Sequence, residues 1–162
     1  MILTKVYWLH TFDNLAKIGI MARPRGNDWL EDEIINLKLK KVEVLISLLE
    51  RSEIDELKLE LEPKLCSSKQ IEFINFPIPD RDIPNNNDKI NQLIDNLVLK
   101  IDRGNSIVIH CRMGIGRSSI IAAAILLKYG FRVEEIIDKI SIVRGMKVPD
   151  TDQQLDWLRQ RE

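Results

Sequence analysis

The spacing of apolar and polar residues divides the chain into short strands and amphipathic helices that alternate. Residues 2–9 and 15–20 read as two short strands around a turn at Asp13-Asn14. Over 28–40, Trp29, Leu30, Ile34 and Leu37 fall near one helical face. Glu31, Asp32 and Glu33 crowd the first turn of that helix, where acids complement the macrodipole without any metal role. The β-rich run 42–49 predicts a central strand. Ser52 opens a capping-box-like Ser-x-x-Asp, with Ile54, Leu57, Leu61 and Leu65 at helical spacing, and Pro63 is expected to break or end that helix. Residues 70–76 predict a further strand, and 77–87 a polar loop stiffened by Pro77, Pro79 and Pro84.

The clearest amphipathic helix spans 88–102, where Ile90, Leu93, Ile94, Leu97, Val98 and Ile101 form one stripe. A short strand at 107–110 leads through a glycine-bearing loop to a helix opening at Arg117, Ser118 and Ser119. That helix is apolar almost all round from Ile120 to Leu127, so it belongs at the centre, and Gly130 follows its end. Two closing helices are expected at 133–144 and 150–161. The order predicts an α/β fold, with a central, mostly parallel sheet of four to five strands flanked by helices. Functional loops are then expected at the carboxyl ends of the strands.

A length of 162 residues suits a single domain over 1–162 with a core large enough to stand without staples. A formal net charge of −1 argues against general nucleic-acid or anionic-membrane binding, so any attraction for anions must be local. Two cysteines, Cys66 and Cys111, are too few for a disulfide framework and lack zinc-ligand spacing. No signal peptide and no apolar run of membrane-spanning length is visible, so a reducing cytoplasm is the expected setting.

The candidate chemistry lies at residues 110–118. Cys111 ends the strand, and Arg117 starts the helix six residues later. A tight loop here would turn its N–H groups inward beside the positive helix end, forming a cup for a tetrahedral oxyanion and lowering the pKa of a thiol beneath it. Gly114 and Gly116 are expected to permit positive φ and close backbone approach. Arg117 offers a planar fork for two phosphate oxygens, Ser118 a hydroxyl for the thiolate, and Arg112 a positive charge at the rim. His110 is expected to order the loop from behind. Gly114-Ile115-Gly116 lacks the third glycine of a dinucleotide fingerprint, and no Gly-Lys-Ser/Thr is present, which excludes a Walker loop.

Phosphoryl transfer to a thiolate expels an oxyanion, so a carboxylic acid should protonate the leaving oxygen. It should sit on a loop able to cover the pocket, and the 77–87 segment offers Asp80 and Asp82. Gln153 and Gln154 open the last helix after Pro149-Asp150-Thr151. Either amide could orient a water, and either could equally be a solvated helix face capped by Thr151 or Asp150.

His110-Cys111-Arg112-Met113-Gly114-Ile115-Gly116-Arg117-Ser118 matches the His-Cys-x-x-Gly-x-x-Arg-Ser/Thr signature and resembles the protein tyrosine phosphatases, in their dual-specificity branch. Phe76-Pro77-Ile78-Pro79-Asp80 is similar to the acid loop of kinase-associated phosphatases and small prokaryotic relatives. The resemblance implies the cysteine phosphatase fold, Cys111 as nucleophile, Arg117 as phosphate clamp and Asp80 as general acid. It implies that Arg112, Met113, Gly114, Ile115, Gly116, Arg117 and Ser118 bind the phosphate, with Gln154 near the pocket. It also implies a monomer that needs no cofactor or metal and acts on phosphorylated protein or peptide. A Trp-Pro-Asp acid loop and a phosphotyrosine-recognition loop are absent, so strict tyrosine selectivity is not expected.

The alternatives keep the thiolate loop and change its use: a phosphoinositide or RNA 5′-end as substrate, or a non-catalytic phosphate reader. Sulfurtransfer and arsenate reduction also use such loops without this acid segment, and the latter would enlist Cys66 as resolving thiol. Otherwise Cys66 reads as an inert core residue, Arg23-Pro24-Arg25 as a solvated loop, and Trp8, Trp29 and Trp157 as packing residues.

Overall fold

Short β-branched runs pair into the sheet that positions everything else. In the computed structural model, which describes residues 2–162, the strands are β1 (Tyr7–Thr11), β2 (Lys17–Met21), β3 (Val44–Ser47), β4 (Glu72–Asn75) and β5 (Ile107–His110). Their order across the sheet is β1-β2-β5-β3-β4. Strands β2, β5, β3 and β4 are parallel, and β1 joins β2 antiparallel with an irregularity between Trp8 and His10. β5 lies in the middle and is buried on both faces, as a continuous apolar run in a parallel sheet requires.

Side-chain alternation sorts these strands between two cores. Ile18, Ile20, Val44, Ile46, Ile107 and Ile109 face one way, against α4 (Asn87–Asp102), α5 (Arg117–Leu127), α6 (Val133–Arg144) and α7 (Asp152–Arg159). Met21, Leu45 and Val108 face the other, against α1 (Leu30–Leu39) and α3 (Glu62–Ser68), with Ile54 of α2 (Arg51–Glu56) at the margin. The result is three layers, helix on sheet on helix. α5 is buried from Arg117 to Leu126, matching its all-round apolar sequence. Asn86 caps α4 by accepting from Lys89 N at 3.0 Å.

Several boundaries depart from the sequence reading for identifiable reasons. β1 begins at Tyr7, not at residue 2, because the preceding segment is drawn onto α1: Thr4 N donates to Glu33 Oε1 at 2.8 Å. Glu33 is therefore buried, and its Oε2 also accepts from Arg25 N, so it is more than a dipole partner in an exposed turn. β3 is interior, yet β5 takes the central place expected for the 42–49 run. The Ser52 capping box is replaced by one of Glu50 and Glu53, which opens α2 two residues earlier. The expected helix is broken into α2 and α3, and Pro63 lies in the first turn of α3, where its fixed φ and missing N–H are tolerated. Trp29 is 45% exposed and carries the Arg25 guanidinium 4.7 Å above its ring, while Trp157 is packed as expected.

β4 forms one margin of the sheet. It is four residues long, and its exposed Glu72 pairs with Lys100 of α4 at 2.7 Å.

Ile109 is fully buried at the centre of the larger core. Ile109→Ala is expected to cost about 2–4 kcal/mol, read as a lowered denaturation midpoint in urea with unchanged slope.

Candidate active site

The carboxyl ends of β2, β3, β4 and β5 point to one side, and the predicted site residues converge there. β5 delivers Cys111, which is 3% exposed, with Sγ 3.3 Å from Ser118 Oγ in the first turn of α5. His110 is buried behind it, its Nε2 2.7 Å from Glu62 Oε2 and its Nδ1 3.3 Å from Cys111 O. Both ring nitrogens thus face acceptors, and α3 holds the strand end through Glu62, which sequence reasoning did not single out.

Packing dictates the two glycines differently. Gly114 has φ of 70°, and a Cβ there would come within 2.7 Å of Ala22 N and Met21 C at the end of β2. Gly116 has φ of −95°, so the expected positive φ does not apply to it. It is required by crowding, because its Cβ would meet Asp150 Oδ2 at 2.3 Å and Gln154 Oε1 at 2.9 Å. The loop carbonyls are held from outside by Arg144, the last residue of α6. Its Nε donates to Gly114 O at 2.9 Å and its NH2 to Met113 O at 3.2 Å, while the guanidinium stacks 4.1 Å over Tyr7. The hydrogen bonds described for this loop use none of the N–H groups from Met113 to Arg117. Those donors remain for an anion.

Arg117 is 1% exposed and its donors are largely engaged. NH1 and NH2 donate to Glu53 Oε2 and Oε1, each at 2.9 Å, in a two-point pair. NH1 also donates to Ile78 O at 2.8 Å, and NH2 to Asp80 Oδ1 at 3.0 Å. Nε takes part in none of these bonds. The expected fork is therefore oriented by Glu53, and its anion-facing edge is Nε together with the NH2 proton that Asp80 accepts. Burial lowers the Arg117 pKa, but the Glu53 bond and the charges of Cys111, Glu53 and Asp80 outweigh it and hold the guanidinium above its ordinary value. Burial likewise raises Glu53, and the bonds from Arg117 and from Glu50 N overcome it, leaving this carboxyl below the usual carboxylate range.

Glu53 was missed because it sits in the acidic run 50–56 and reads as a capping residue. The available signal was its spacing. Glu50, Glu53 and Glu56 recur every third residue just past a strand end, which lines up carboxylates on a short helix.

The segment after β4 is anchored before it reaches its aspartates. Phe76 N donates to Ser47 O at 2.9 Å, and Ile78 N to Leu48 O at 3.0 Å. Asp80 then meets Arg117. Asp82, its rival, turns its carboxylate to Ile83 N at 2.8 Å and borders a separate hollow of about 530 Å³ with Asn85, Trp157 and Arg161. Gln154 is fully buried, whereas Gln153 is exposed. Gln154 Nε2 donates to Asp82 O at 3.1 Å, and its Oε1 accepts from Thr151 N at 3.2 Å in the capping box of α7. Its amide braces the acid segment against the loop instead of facing outward.

Arg112 was expected to add positive charge at the rim, and its guanidinium is half-buried there. It is tied to Glu56, with NH1 3.2 Å from Oε2 and NH2 2.9 Å from Oε1. Met113 is 60% exposed and Ile115 partly buried, so neither adds charge. Cys66 lies in the core on the opposite face of the sheet from Cys111, and burial, with Glu62 nearby, pushes its thiol up to about 12. Among the described residues, no group of three or more His, Cys, Asp or Glu is arranged to hold a metal ion. No helix among them is long and apolar enough to cross a membrane.

With this geometry in view, likeness to known proteins becomes informative. The family model described as "Polymorphic toxin system, DSP-PTPase phosphatase" matches residues 19–131. No curated protein matches the chain. A solved structure of kinase associated phosphatase, its catalytic-site cysteine changed to serine, is similar with a TM-score of 0.88 at 20% identity, covering 99% of this chain and 94% of that one. PTPMT1 in complex with PI(5)P gives 0.76 at 20% identity over 96% and 94%. The catalytic domain of the PP-IP phosphatase SIW14 from S. cerevisiae, in complex with citrate, gives 0.65 at 13% identity over 96% and 85%. At these identities the likeness concerns the fold, and it is that of the cysteine phosphatases.

Glu53→Gln is expected to cost about 3 kcal/mol at about pH 7, because it leaves the buried guanidinium short of its counter-charge. A carboxyl held below its unfolded value stabilises the fold above the ordinary carboxylate range, and that stabilisation is lost as pH falls through the folded value. The difference between wild type and variant in urea unfolding should therefore shrink below about pH 4.

Proposed function

We propose, because the chain belongs to the DSP-PTPase phosphatase family of polymorphic toxin systems, that it hydrolyses phosphate monoesters on tyrosine, and on serine and threonine, of phosphorylated proteins through a phosphocysteine. One observation carries this reading. Arg117 NH2 bonds both Glu53 and Asp80, so the cysteine loop and the acid segment meet at one buried cation.

The chemistry follows from that meeting point. A phosphate dianion entering the loop accepts from the free N–H groups and from Arg117 Nε and NH2, displacing the Asp80 carboxylate from NH2. Asp80, freed beside the leaving oxygen, takes up a proton from solvent before the chemical step. The Cys111 thiolate attacks phosphorus, the bond to the leaving oxygen breaks, and the Asp80 proton passes to that oxygen. Asp80, now a carboxylate, takes a proton from water as the water oxygen attacks phosphorus. The S–P bond breaks, orthophosphate leaves, and Ser118 Oγ donates to the departing thiolate. Arg144 acts as a positioning residue, since its two bonds to loop carbonyls oppose rotation of the intervening peptides away from the anion. Arg117 stabilises charge on the transferring group, and Glu53 keeps its plane fixed.

Asp80 is preferred over Asp82 because Asp82 spends its carboxylate on its own loop. Gln154 supports the acid segment through Asp82 O in place of orienting water directly. The site needs no metal or cofactor in this scheme, and the reading carries the expectation of a monomer in a reducing cytoplasm.

Cys111→Ser is expected to lower turnover of p-nitrophenyl phosphate by at least about 10³-fold while still binding vanadate. Asp80→Asn should lower kcat about 10²-fold for alkyl phosphates and far less for aryl phosphates with good leaving groups, and Asp82→Asn should stay within about threefold on both. Leaving-group dependence that follows Asp82 would reverse the assignment. In native protein, iodoacetamide should label Cys111 and leave Cys66 untouched, read by peptide mass spectrometry.

A further inference from the structure

The short helix α2 meets both arginines of the cysteine loop. Glu53 takes Arg117 in the interior, and Glu56, one turn later, takes Arg112 at the surface. Arg112 is the only other cation in the loop. Its side chain is 33% exposed and Glu56 is 62% exposed, so their two-point pair lies at the mouth of the site. The backbone of Arg112 is held independently, its carbonyl accepting from Arg23 N at 3.2 Å. Across the two separate pairings, two guanidiniums face three carboxylates, Glu53, Glu56 and Asp80.

We infer that Glu56 is a specificity-determining residue, which withholds Arg112 from the mouth and so restricts the site to substrates presenting a single phosphate. The inference rests on the phosphatase reading. A second phosphate beside the first needs a cation at the rim to offset its repulsion from the carboxylates there. Arg112 is in place for that task, and its fork suits phosphate, but both ends of the fork are bonded to Glu56. A vicinal phosphate must break this pair and leave Glu56 facing it. A singly phosphorylated peptide makes no such demand. Of the other cations on neighbouring segments, Arg51 pairs with Asp55 at 3.1 Å and Arg144 is spent on loop carbonyls, while Arg23 reaches only the Pro24 carbonyl and Arg81, next to Asp80, is exposed.

The test compares kcat/KM of wild type, Glu56→Gln and Glu56→Gln with Arg112→Met on three substrates. These are p-nitrophenyl phosphate, a peptide with one phosphotyrosine, and a short-chain, water-soluble phosphatidylinositol bisphosphate with vicinal phosphates. Wild type should favour the peptide. Glu56→Gln should raise the ratio of bisphosphate to peptide about tenfold at low salt, by freeing one charge-assisted contact at a partly exposed site. Adding Arg112→Met should remove that gain, and raising the salt should shrink it. The inference is overturned if the ratio moves less than about twofold in Glu56→Gln while p-nitrophenyl phosphate is still cleaved. It is equally overturned if wild type already prefers the bisphosphate. If wild type cleaves none of the three, the phosphatase reading itself fails and this inference falls with it.

Discussion

The site depends on one buried ion pair, Arg117 with Glu53. A guanidinium almost fully removed from water is tolerable only with its charge matched and its donors used. Glu53 matches the charge, and the Leu48 and Ile78 carbonyls, with Asp80, take further donors. These partners come from the ends of two strands and from the helix after β3, so the pair fixes the relation of three chain segments at once. The cysteine loop is shaped around what this cation leaves free, which is one edge of its plane.

The loop has a second support on its outer side. Arg144 pulls on the carbonyls of Met113 and Gly114, and Asp150 and Gln154 close against Gly116. The C-terminal helices α6 and α7 thus act on the cup directly, one through its carbonyls and the other through the acid segment. His110 and Glu62 back the strand from the opposite layer. Every layer of the fold contributes a contact, which explains why so short a loop can hold a defined shape.

Much of this was legible in the chain. The amphipathic stripe of α4, the all-apolar α5 and the glycine-bearing loop were readable because their information is local, in period and in turn chemistry. Cys111, Arg117, Ser118 and His110 occupy the places expected of them. The partners of the loop were not readable. Glu53, Glu56, Glu62 and Arg144 look like ordinary helix-terminal charges, and their partners lie 64, 56, 48 and 30 residues away in sequence. The Glu56 partner of Arg112 and the crowding that requires glycine at 116 were unreadable for the same reason, since each comes from a neighbour on another element. The early start given to β1 also ignored a long-range bond, that from Thr4 to Glu33.

A last consequence concerns the margin of the sheet at β4. An open strand edge presents unpaired N–H and C=O groups on which another chain can dock and begin to aggregate. Here that template is only four residues long, and Lys100 lies across its first residue through Glu72. A template that short offers an incoming strand only a handful of hydrogen bonds. Protection against fibril-like association is therefore built into the periphery of the molecule, leaving the opposite ends of the strands free to carry the chemistry.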